Sequence, residues 1–134
     1  MEDYPEVQGS VCPAPLPHNE TIVMGHGSGG LLTRDLINRI FLPAFSNPAL
    51  LAGNDFALLE NESNFRIVVS TDAHIVTPLF FPGGDIGRLA VSGTINDIAV
   101  SGGTPIGLTA SFILEEGLPM EVLAKVAQSM ADTA

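Results

Sequence analysis

The chain has 134 residues, of which 46% are hydrophobic and 15% are charged, and this is enough apolar material for one folded domain. The net charge is −10 and the five lysines and arginines are scattered, so neither nucleic acid nor an anionic membrane surface is expected as a partner. A single cysteine excludes an internal disulfide framework. The acidic N-terminus has no apolar signal region and no apolar run is long enough to span a membrane, so a cytoplasmic location is expected.

Residues 1–20 are rich in proline, which fixes φ and removes backbone donors, and the sequence therefore predicts an extended or disordered arm. Residues 21–134 are expected to form the folded domain. Cys12 lies in the arm and could be either a reactive thiol or an incidental residue. We favour the second interpretation, because no basic residue flanks Cys12 to stabilise a thiolate.

A glycine-rich segment at 25–30 (GHGSGG) follows a short apolar run at 21–24. Leu32, Leu36 and Ile40 then recur at helical spacing, and Pro43 is expected to end that helix. A glycine loop that leads into a helix can bind phosphate, although this one has neither the Walker A nor the Rossmann spacing. A flexible hinge is the alternative, and His26 could ligate, titrate or cap the loop.

Two segments further along are predicted strands that carry acids at their ends. Asp55 precedes the apolar run at 56–59 and is either a turn residue or a ligand. The segment 66–71 (RIVVST) is apolar on both faces, which is typical of a central strand, and Asp72 follows it. An acid at the tip of a buried strand must be solvated, paired or bound to a cation. His74 is interpreted as a packing residue rather than a catalyst.

A turn at 80–85 (FFPGGD) is followed by a predicted helix over 86–102. One face of this helix carries only small or polar residues, among them Gly93 and Asp97. Glycine inside a helix costs roughly 1 kcal/mol relative to alanine, so Gly93 indicates close packing or binding at that face. Asp97 could hold Mg²⁺ or could be capping or paired, and Asn96 could bond a loop.

The alternation at 107–116 (GLTASFILEE) predicts another strand, and Pro119 suits the first turn of a final helix. The order strand, strand, helix, strand, helix indicates an α/β (α+β) fold. The last helix reaches Ala134 with no strand after it. The chain is therefore expected to be a piece of a longer protein whose sheet needs at least one more strand.

Several of these segments together resemble the HypE family of hydrogenase maturation proteins, over about residues 20–134. The resemblance lies in HGSGG at 26–30 and in the run 71–103, and above all in PLFFPGGDIG at 78–87 and FILEEGLP at 112–119. This family belongs to the superfamily of aminoimidazole ribonucleotide synthetase, selenophosphate synthetase and thiamine-monophosphate kinase. The resemblance implies a PurM-like N-terminal domain with a mixed β-sheet, helices on one face, and a sheet edge that pairs in a dimer barrel.

The resemblance also implies an activity. Members of the family receive a carbamoyl group on a C-terminal cysteine from the carbamoyltransferase HypF, and ATP activates its oxygen by phosphorylation. Loss of phosphate gives a thiocyanate, and the cyano group passes to the HypC–HypD complex as a ligand for the iron of [NiFe]-hydrogenase. The chain ends before the C-terminal domain and its cysteine, so it is expected to be inactive alone and to function as an ATP-binding and homodimerising domain.

The matching site residues follow from the same resemblance. Asp55, Asp72 and Asp97 match acids that hold Mg²⁺ and the phosphates of ATP, and Asn96 matches the asparagine beside the last of them. The nucleotide-covering loop matches His26, Gly27, Ser28, Gly29 and Gly30. Carboxylates suit Mg²⁺, and a chain with few cations needs metal ions to neutralise phosphate charge. The alternatives are a non-catalytic dimerisation or partner-binding module, and another ATP-dependent enzyme of the superfamily, against which the segments 78–87 and 112–119 weigh.

Overall fold

The computed structural model describes residues 20–53 and 67–134. The predicted arm over most of 1–20, Cys12, Asp55 and the strand candidate at 56–59 lie outside the described residues.

The first described region is helical. A 3₁₀ turn covers Met24–Gly27 and is followed by α1 (Leu31–Leu36), a π-helical turn (Ile37–Phe41), α2 (Leu42–Phe45) and α3 (Pro48–Leu51). The last of these begins after Asn47, which caps it, because the Asn47 side-chain oxygen accepts a hydrogen bond from the Leu50 amide at 3.0 Å.

Pro43 does not end the first long helix, and this prediction is wrong. Pro43 lies in the first turn of α2, directly after the π-helical turn, where the Leu42 amide bonds to the Ile37 carbonyl five residues back. In a regular α-helix a proline lacks the amide and its ring clashes with the carbonyl four residues back. The wider π turn changes the hydrogen-bonding pattern just ahead of the ring, and the helix continues to Phe45.

The predicted turn at 80–85 is confirmed as a short hairpin. Strand β1 (Phe80–Phe81) pairs antiparallel with β2 (Gly84–Asp85), with Phe80 opposite Asp85 and Phe81 opposite Gly84. Gly83 has φ +96°, a value that side chains other than glycine rarely adopt, and this fixes the tight connection between the two strands. The hairpin places Asp85 at the N-terminus of the next helix.

Both predicted long helices are present. Helix α4 covers Ile86–Val100, two residues shorter than the predicted 86–102, and Gly102 follows it with φ +76°, which is typical of a helix C-terminus. Helix α5 covers Met120–Thr133 and begins directly after Pro119. The two helices pack against each other so closely at Gly87 that a Cβ atom there would lie 2.6 Å from the Val126 carbonyl oxygen.

The core joins α5 to the first helical region. Leu123 is its most deeply buried large side chain, and Ile22, Leu36 and Met120 surround it. Phe41 and Phe112 pack on this cluster with their ring centroids 4.7 Å apart. Burial of these apolar side chains is what holds residues 20–45 against the C-terminal helix.

The strands predicted at 66–71 and 107–116 are not formed in the described residues, where strand pairing is confined to the hairpin and a single Thr21–Pro119 bridge. The predicted alternation is partly kept, since Phe112 and Leu114 pack on the core whereas Ile113 is fully exposed. A strand is stabilised by ladder hydrogen bonds to a neighbour, and 67–71 and 107–116 do not pair with each other. In place of the larger predicted mixed sheet, the described residues contain a two-stranded antiparallel hairpin beside helices. This is still an α/β arrangement.

Candidate functional site

The candidate site lies where the segment 70–74 passes along α4. Ser70, Asp72 and His74 occupy alternate positions of that segment, and Gly93 and Asp97 lie one helical turn apart on α4. The Ser70 hydroxyl donates a hydrogen bond of 2.9 Å to Asp97 Oδ2. This contact joins the end of the segment predicted as a strand to the small-residue face of α4.

His74 is the second link between these elements. Its Nε2 atom lies 3.2 Å from Asp72 Oδ2. A Cβ atom on Gly93 would lie only 2.5 Å from the same Nε2 atom, so the imidazole rests directly on the helix backbone. The interpretation of His74 as a packing residue and of Gly93 as a point of close packing is therefore confirmed, and His74 has a polar contact in addition.

The two acids remain accessible despite these contacts. Asp72 is half-exposed, and its Oδ1 atom accepts a hydrogen bond of 2.8 Å from the Ala73 amide. Asp97 and its neighbour Asn96 are exposed on α4. Each carboxylate oxygen has more than one lone-pair direction, so both acids can still accept a ligand.

The predicted metal site is not assembled from the described residues alone. Within residues 20–53 and 67–134 there is no group of three histidine, cysteine or acidic side chains close enough to hold a metal ion. Asp72 and Asp97 are two of the three predicted ligands, and the third, Asp55, lies outside these ranges. The ligand set therefore stays a prediction.

The glycine-rich loop is ordered by its own hydrogen bonds. The Ser28 hydroxyl donates to the Gly25 carbonyl at 2.8 Å, and the Gly29 amide donates to Thr33 Oγ1 at 2.9 Å. Gly29 has φ +78°, so glycine is required there for conformational reasons. The residues Gly27 to Gly30 are exposed, which leaves their backbone accessible to a ligand.

His26 lies beneath this loop and is 4% exposed. His26 Nδ1 lies 3.0 Å from the Val23 amide nitrogen and 3.2 Å from the Val23 carbonyl oxygen, so this ring atom is in polar contact with the backbone. The buried Nε2 atom has no hydrogen-bond partner among the described residues. His26 lines a cavity of about 770 Å³ together with Leu36, Phe41 and Phe112, and neither Asp72 nor Asp97 lines it.

Asp85 caps the N-terminus of α4, and this role was not predicted from the sequence. Its Oδ1 atom accepts hydrogen bonds from the Gly87 and Arg88 amides at 2.7 and 3.1 Å, and Ser129 Oγ donates to Oδ2 at 2.6 Å. Burial raises the pKa of Asp85, but the Ser129 bond, the two amide bonds and the Arg88 charge together outweigh it and hold the pKa below 3.8. An acid just ahead of an apolar-periodic segment is a helix-start signal, which could have identified Asp85.

The AIR synthase related protein, N-terminal domain, is the family whose model matches residues 53–134, and the chain belongs to this family. The chain is 53% identical over 113 residues to the carbamoyl dehydratase HypE of Cupriavidus necator, covering 84% of this chain and 32% of that protein. It is 51% identical over 117 residues to the carbamoyl dehydratase HypE of Escherichia coli, covering 84% of this chain and 35% of that one. The chain thus spans about a third of the length of the curated relatives it matches.

A solved crystal structure of the hydrogenase maturation protein HypE in complex with ATP is also similar. The TM-score is 0.79 at 46% sequence identity, covering 84% of this chain and 33% of that one. These likenesses confirm both the resemblance found in the sequence and the α/β fold class. Among the described residues, no helix is both long and apolar enough to cross a membrane.

Proposed function

We propose that residues 21–134 are the ATP-binding and homodimerising N-terminal domain of a HypE-type carbamoyl dehydratase that functions in hydrogenase maturation. The observation that carries this proposal is the 46% identity, over 84% of the chain, to a HypE whose crystal structure contains ATP. The likeness to carbamoyl dehydratases of two bacteria at 51–53% identity supports the same activity for the whole protein.

The chemistry of Asp72 and Asp97 supports a magnesium-dependent nucleotide site. Mg²⁺ is held by oxygen ligands and is usually bound through a few carboxylates together with substrate phosphates. Asp72 lies in the segment 70–74, and Asp97 is bonded to Ser70 of the same segment. Both carboxylates are accessible, and their oxygen atoms are ligands of the type that Mg²⁺ prefers. We assign Asp55 as the third ligand and Asn96 to the polar contacts of the phosphates.

The glycine-rich loop is proposed to cover the nucleotide. Its residues Gly27, Ser28, Gly29 and Gly30 are exposed, and glycines allow a phosphate to approach the backbone closely. The buried Nε2 atom of His26, which has no hydrogen-bond partner among the described residues, lies at the base of the same loop. A buried polar atom without a partner destabilises a protein, so a ligand that forms a hydrogen bond with Nε2 would stabilise the closed loop.

In the proposed reaction this domain binds and orients ATP. Mg²⁺ supplies charge neutralisation of the phosphates, because the chain has only five lysines and arginines. The carbamoyl oxygen on a C-terminal cysteine attacks the terminal phosphorus of ATP, ADP leaves, and the carbamoyl nitrogen loses one of its two protons to solvent. Loss of the resulting phosphate together with the remaining nitrogen-bound proton converts the carbamoyl carbon and nitrogen to a thiocyanate. The domain alone does not complete this sequence, because the cysteine belongs to the C-terminal part.

Substitution of the two acids tests the nucleotide site. Asp97→Asn and Asp72→Asn are each expected to weaken ATP binding in the presence of Mg²⁺ by about tenfold or more, because each removes a charged oxygen ligand. Asp132→Asn is the matched control, since this carboxylate accepts its hydrogen bond from Gln128 on α5, away from the site. Equilibrium dialysis with labelled ATP measures the affinities. Equal affinity in all three variants and the wild type would contradict the proposed ligands.

A second function, assembly without catalysis, is favoured by exposed apolar side chains. Val69 is 84% exposed and Ile113 is fully exposed, and both lie in segments predicted as strands. Exposed apolar edges of this kind mark interaction surfaces. We propose that they form the sheet-edge interface of the homodimer, and that HypF and the HypC–HypD complex are the partners of the whole protein in the cytoplasm.

Sedimentation of the chain with Val69→Asp and Ile113→Asp, combined with equilibrium dialysis of ATP with Asp97→Asn, distinguishes the two functions. If assembly is the only function, these changes abolish the dimer and partner capture while Asp97→Asn affects neither. If nucleotide binding is also a function, Asp97→Asn lowers ATP affinity in a chain that still dimerises. A monomeric wild type over the micromolar range would contradict the proposed interface.

A further inference from the structure

We propose that His74 is a positioning residue that holds the carboxylate of Asp72 in one orientation. Gly93 of α4 makes this possible, because the absence of a side chain there leaves room for the imidazole ring. The inference deepens the proposed function, because it rests on Asp72 as a metal ligand. It assigns to His74 and Gly93 a role that their positions in the sequence alone do not indicate.

The first observation is that both oxygens of Asp72 are held. Oδ1 accepts a hydrogen bond from the Ala73 amide at 2.8 Å, and Oδ2 lies 3.2 Å from His74 Nε2. The Asp72 side chain is 43% exposed, and an exposed carboxylate without such contacts would sample several rotamers.

The second observation is the fit of the imidazole against the helix. The His74 side chain is only 15% exposed. A Cβ atom on Gly93 would lie 2.5 Å from Nε2, 3.2 Å from Cε1 and 3.7 Å from Cδ2 of the ring. The contact is closest at the very atom that meets Asp72. Any side chain at position 93 would push Nε2 away from its place.

The third observation is that Gly93 has no local reason to be glycine. It lies in the middle of α4, where glycine is among the least favourable residues. Its backbone is not in the left-handed region that would favour glycine. The close approach of His74 accounts for it, and the neighbouring bond between Ser70 and Asp97 orients the second acid from the same segment.

This arrangement has a chemical consequence. Mg²⁺ requires near-ideal octahedral geometry, so ligands that are already oriented bind it more tightly than ligands that must be ordered on binding. Residues that orient a metal ligand typically change metal affinity by about 10- to 100-fold when they are removed. His74 fits that role toward Asp72 without contacting the ion.

The direct test is the side-chain rotamer of Asp72 in the metal-free 134-residue chain, read from three-bond NMR couplings across Cα–Cβ. We expect one rotamer in the wild type, averaging in His74→Ala and in Gly93→Ala, and a single rotamer again in His74→Gln, whose amide can donate from a similar position. Ser92→Ala is the control for a change of helix propensity, because Ser92 is exposed on the same helix. A fixed Asp72 in His74→Ala overturns the proposal.

The second measurement is binding of Mn²⁺ alone, followed by electron paramagnetic resonance. His74→Ala and Gly93→Ala should each lower the affinity by about tenfold or more, and His74→Gln should restore most of it. Gly93→Ala should have little further effect once His74 is alanine, because its effect acts through the imidazole. A full additional loss in the double variant overturns the proposal.

The outcomes separate this inference from the proposed function. A wild-type chain that binds no Mn²⁺, with Asp72 ordered by His74, contradicts Asp72 as a metal ligand and leaves the positioning contact established. Mn²⁺ binding that is lost in Asp72→Asn but unchanged in His74→Ala and Gly93→Ala supports the metal site and overturns the role of His74. Far-ultraviolet circular dichroism confirms that each variant is folded.

Discussion

Replacing Asp85 by alanine should destabilise the fold more than removing the hydroxyl of its partner Ser129. Asp85 accepts two backbone hydrogen bonds that cap α4 and one from Ser129 that joins α4 to α5. Loss of a helix N-cap costs about 0.5–2 kcal/mol. Loss of a hydrogen bond to a charged group costs about 1.5–3 kcal/mol. We therefore expect Asp85→Ala to lower the free energy of unfolding by about 2–5 kcal/mol, a large part of the stability of a small domain.

Urea unfolding at neutral pH, followed by far-ultraviolet circular dichroism, measures this loss. Ser129→Ala is the matched control, because it removes the bond to Oδ2 and leaves the cap of α4 intact. It should cost about 1.5–3 kcal/mol, which is the hydrogen-bond share of the loss in Asp85→Ala without the share of the cap. A loss for Asp85→Ala no larger than that for Ser129→Ala would refute the reasoning, since the cap would then contribute nothing.

The same contacts predict a dependence on pH. Because the hydrogen bonds from Ser129, Arg88 and Gly87 outweigh the effect of burial, the pKa of Asp85 in the folded chain lies below its ordinary value of 3.8. A lowered pKa means that the stabilisation is present above the unfolded value and is lost as the pH falls through the folded value. The difference in unfolding free energy between the wild type and Asp85→Ala should therefore shrink below about pH 4. A constant difference across that range would contradict an ionised Asp85.

Three further predictions concern packing and the loop, and urea unfolding checks each. Gly87→Ala should cost about 1–3 kcal/mol, because its Cβ would lie 2.6 Å from the backbone oxygen of Val126 and force α4 away from α5; a neutral result would mean that the helices are not in this close contact. Leu123→Ala should cost about 2–5 kcal/mol, because this side chain is fully buried, and a smaller loss would place it outside the core. Gly29→Ala should cost about 1 kcal/mol through its positive φ alone, whereas Gly27→Ala, with open space and no positive φ, should be nearly neutral. Equal costs for these two loop variants would contradict the backbone conformation at Gly29.

Local signals in the sequence predicted the two long helices α4 and α5 and the turn within the hairpin. Proline and glycine at 82–84 indicated a turn, and the periodic apolar residues of α5, such as Leu123 and Val126, indicated its buried face. These elements depend on interactions within a few residues, which the sequence displays directly. The fold class followed from the order of the elements and from the family resemblance.

Features that depend on neighbouring segments were predicted less well. Pro43 was expected to end a helix because proline breaks a regular α-helix, and the π turn before it could not be seen in the apolar pattern. The segments 67–71 and 107–116 have strand-like composition, but strand pairing depends on a partner segment and not on composition alone. Their exposed apolar residues are the surface that we assign to an interface.

The candidate site shows the same division. The acids Asp72 and Asp97 could be selected from the sequence because Asp72 follows an apolar strand-like segment and Asp97 lies on the small-residue face of a predicted helix, and Gly93 could be identified as unusual in a helix. The contacts of Ser70 with Asp97 and of His74 with Gly93 arise from the packing of two distant segments, and only the structure reveals them. The cap formed by Asp85 was missed although its sequence signal was present.

The proposed nucleotide site is tested most directly by calorimetric titration of ATP into the 134-residue chain, with Mg²⁺ and with a chelator in its place. We expect saturable binding with Mg²⁺ that is lost or strongly weakened in the chelator, because the phosphates bind through a metal held by carboxylates. A folded chain that binds ATP equally well under both conditions would contradict the metal-dependent site, and one that binds no ATP under either would contradict the assignment of residues 21–134 as a nucleotide-binding domain.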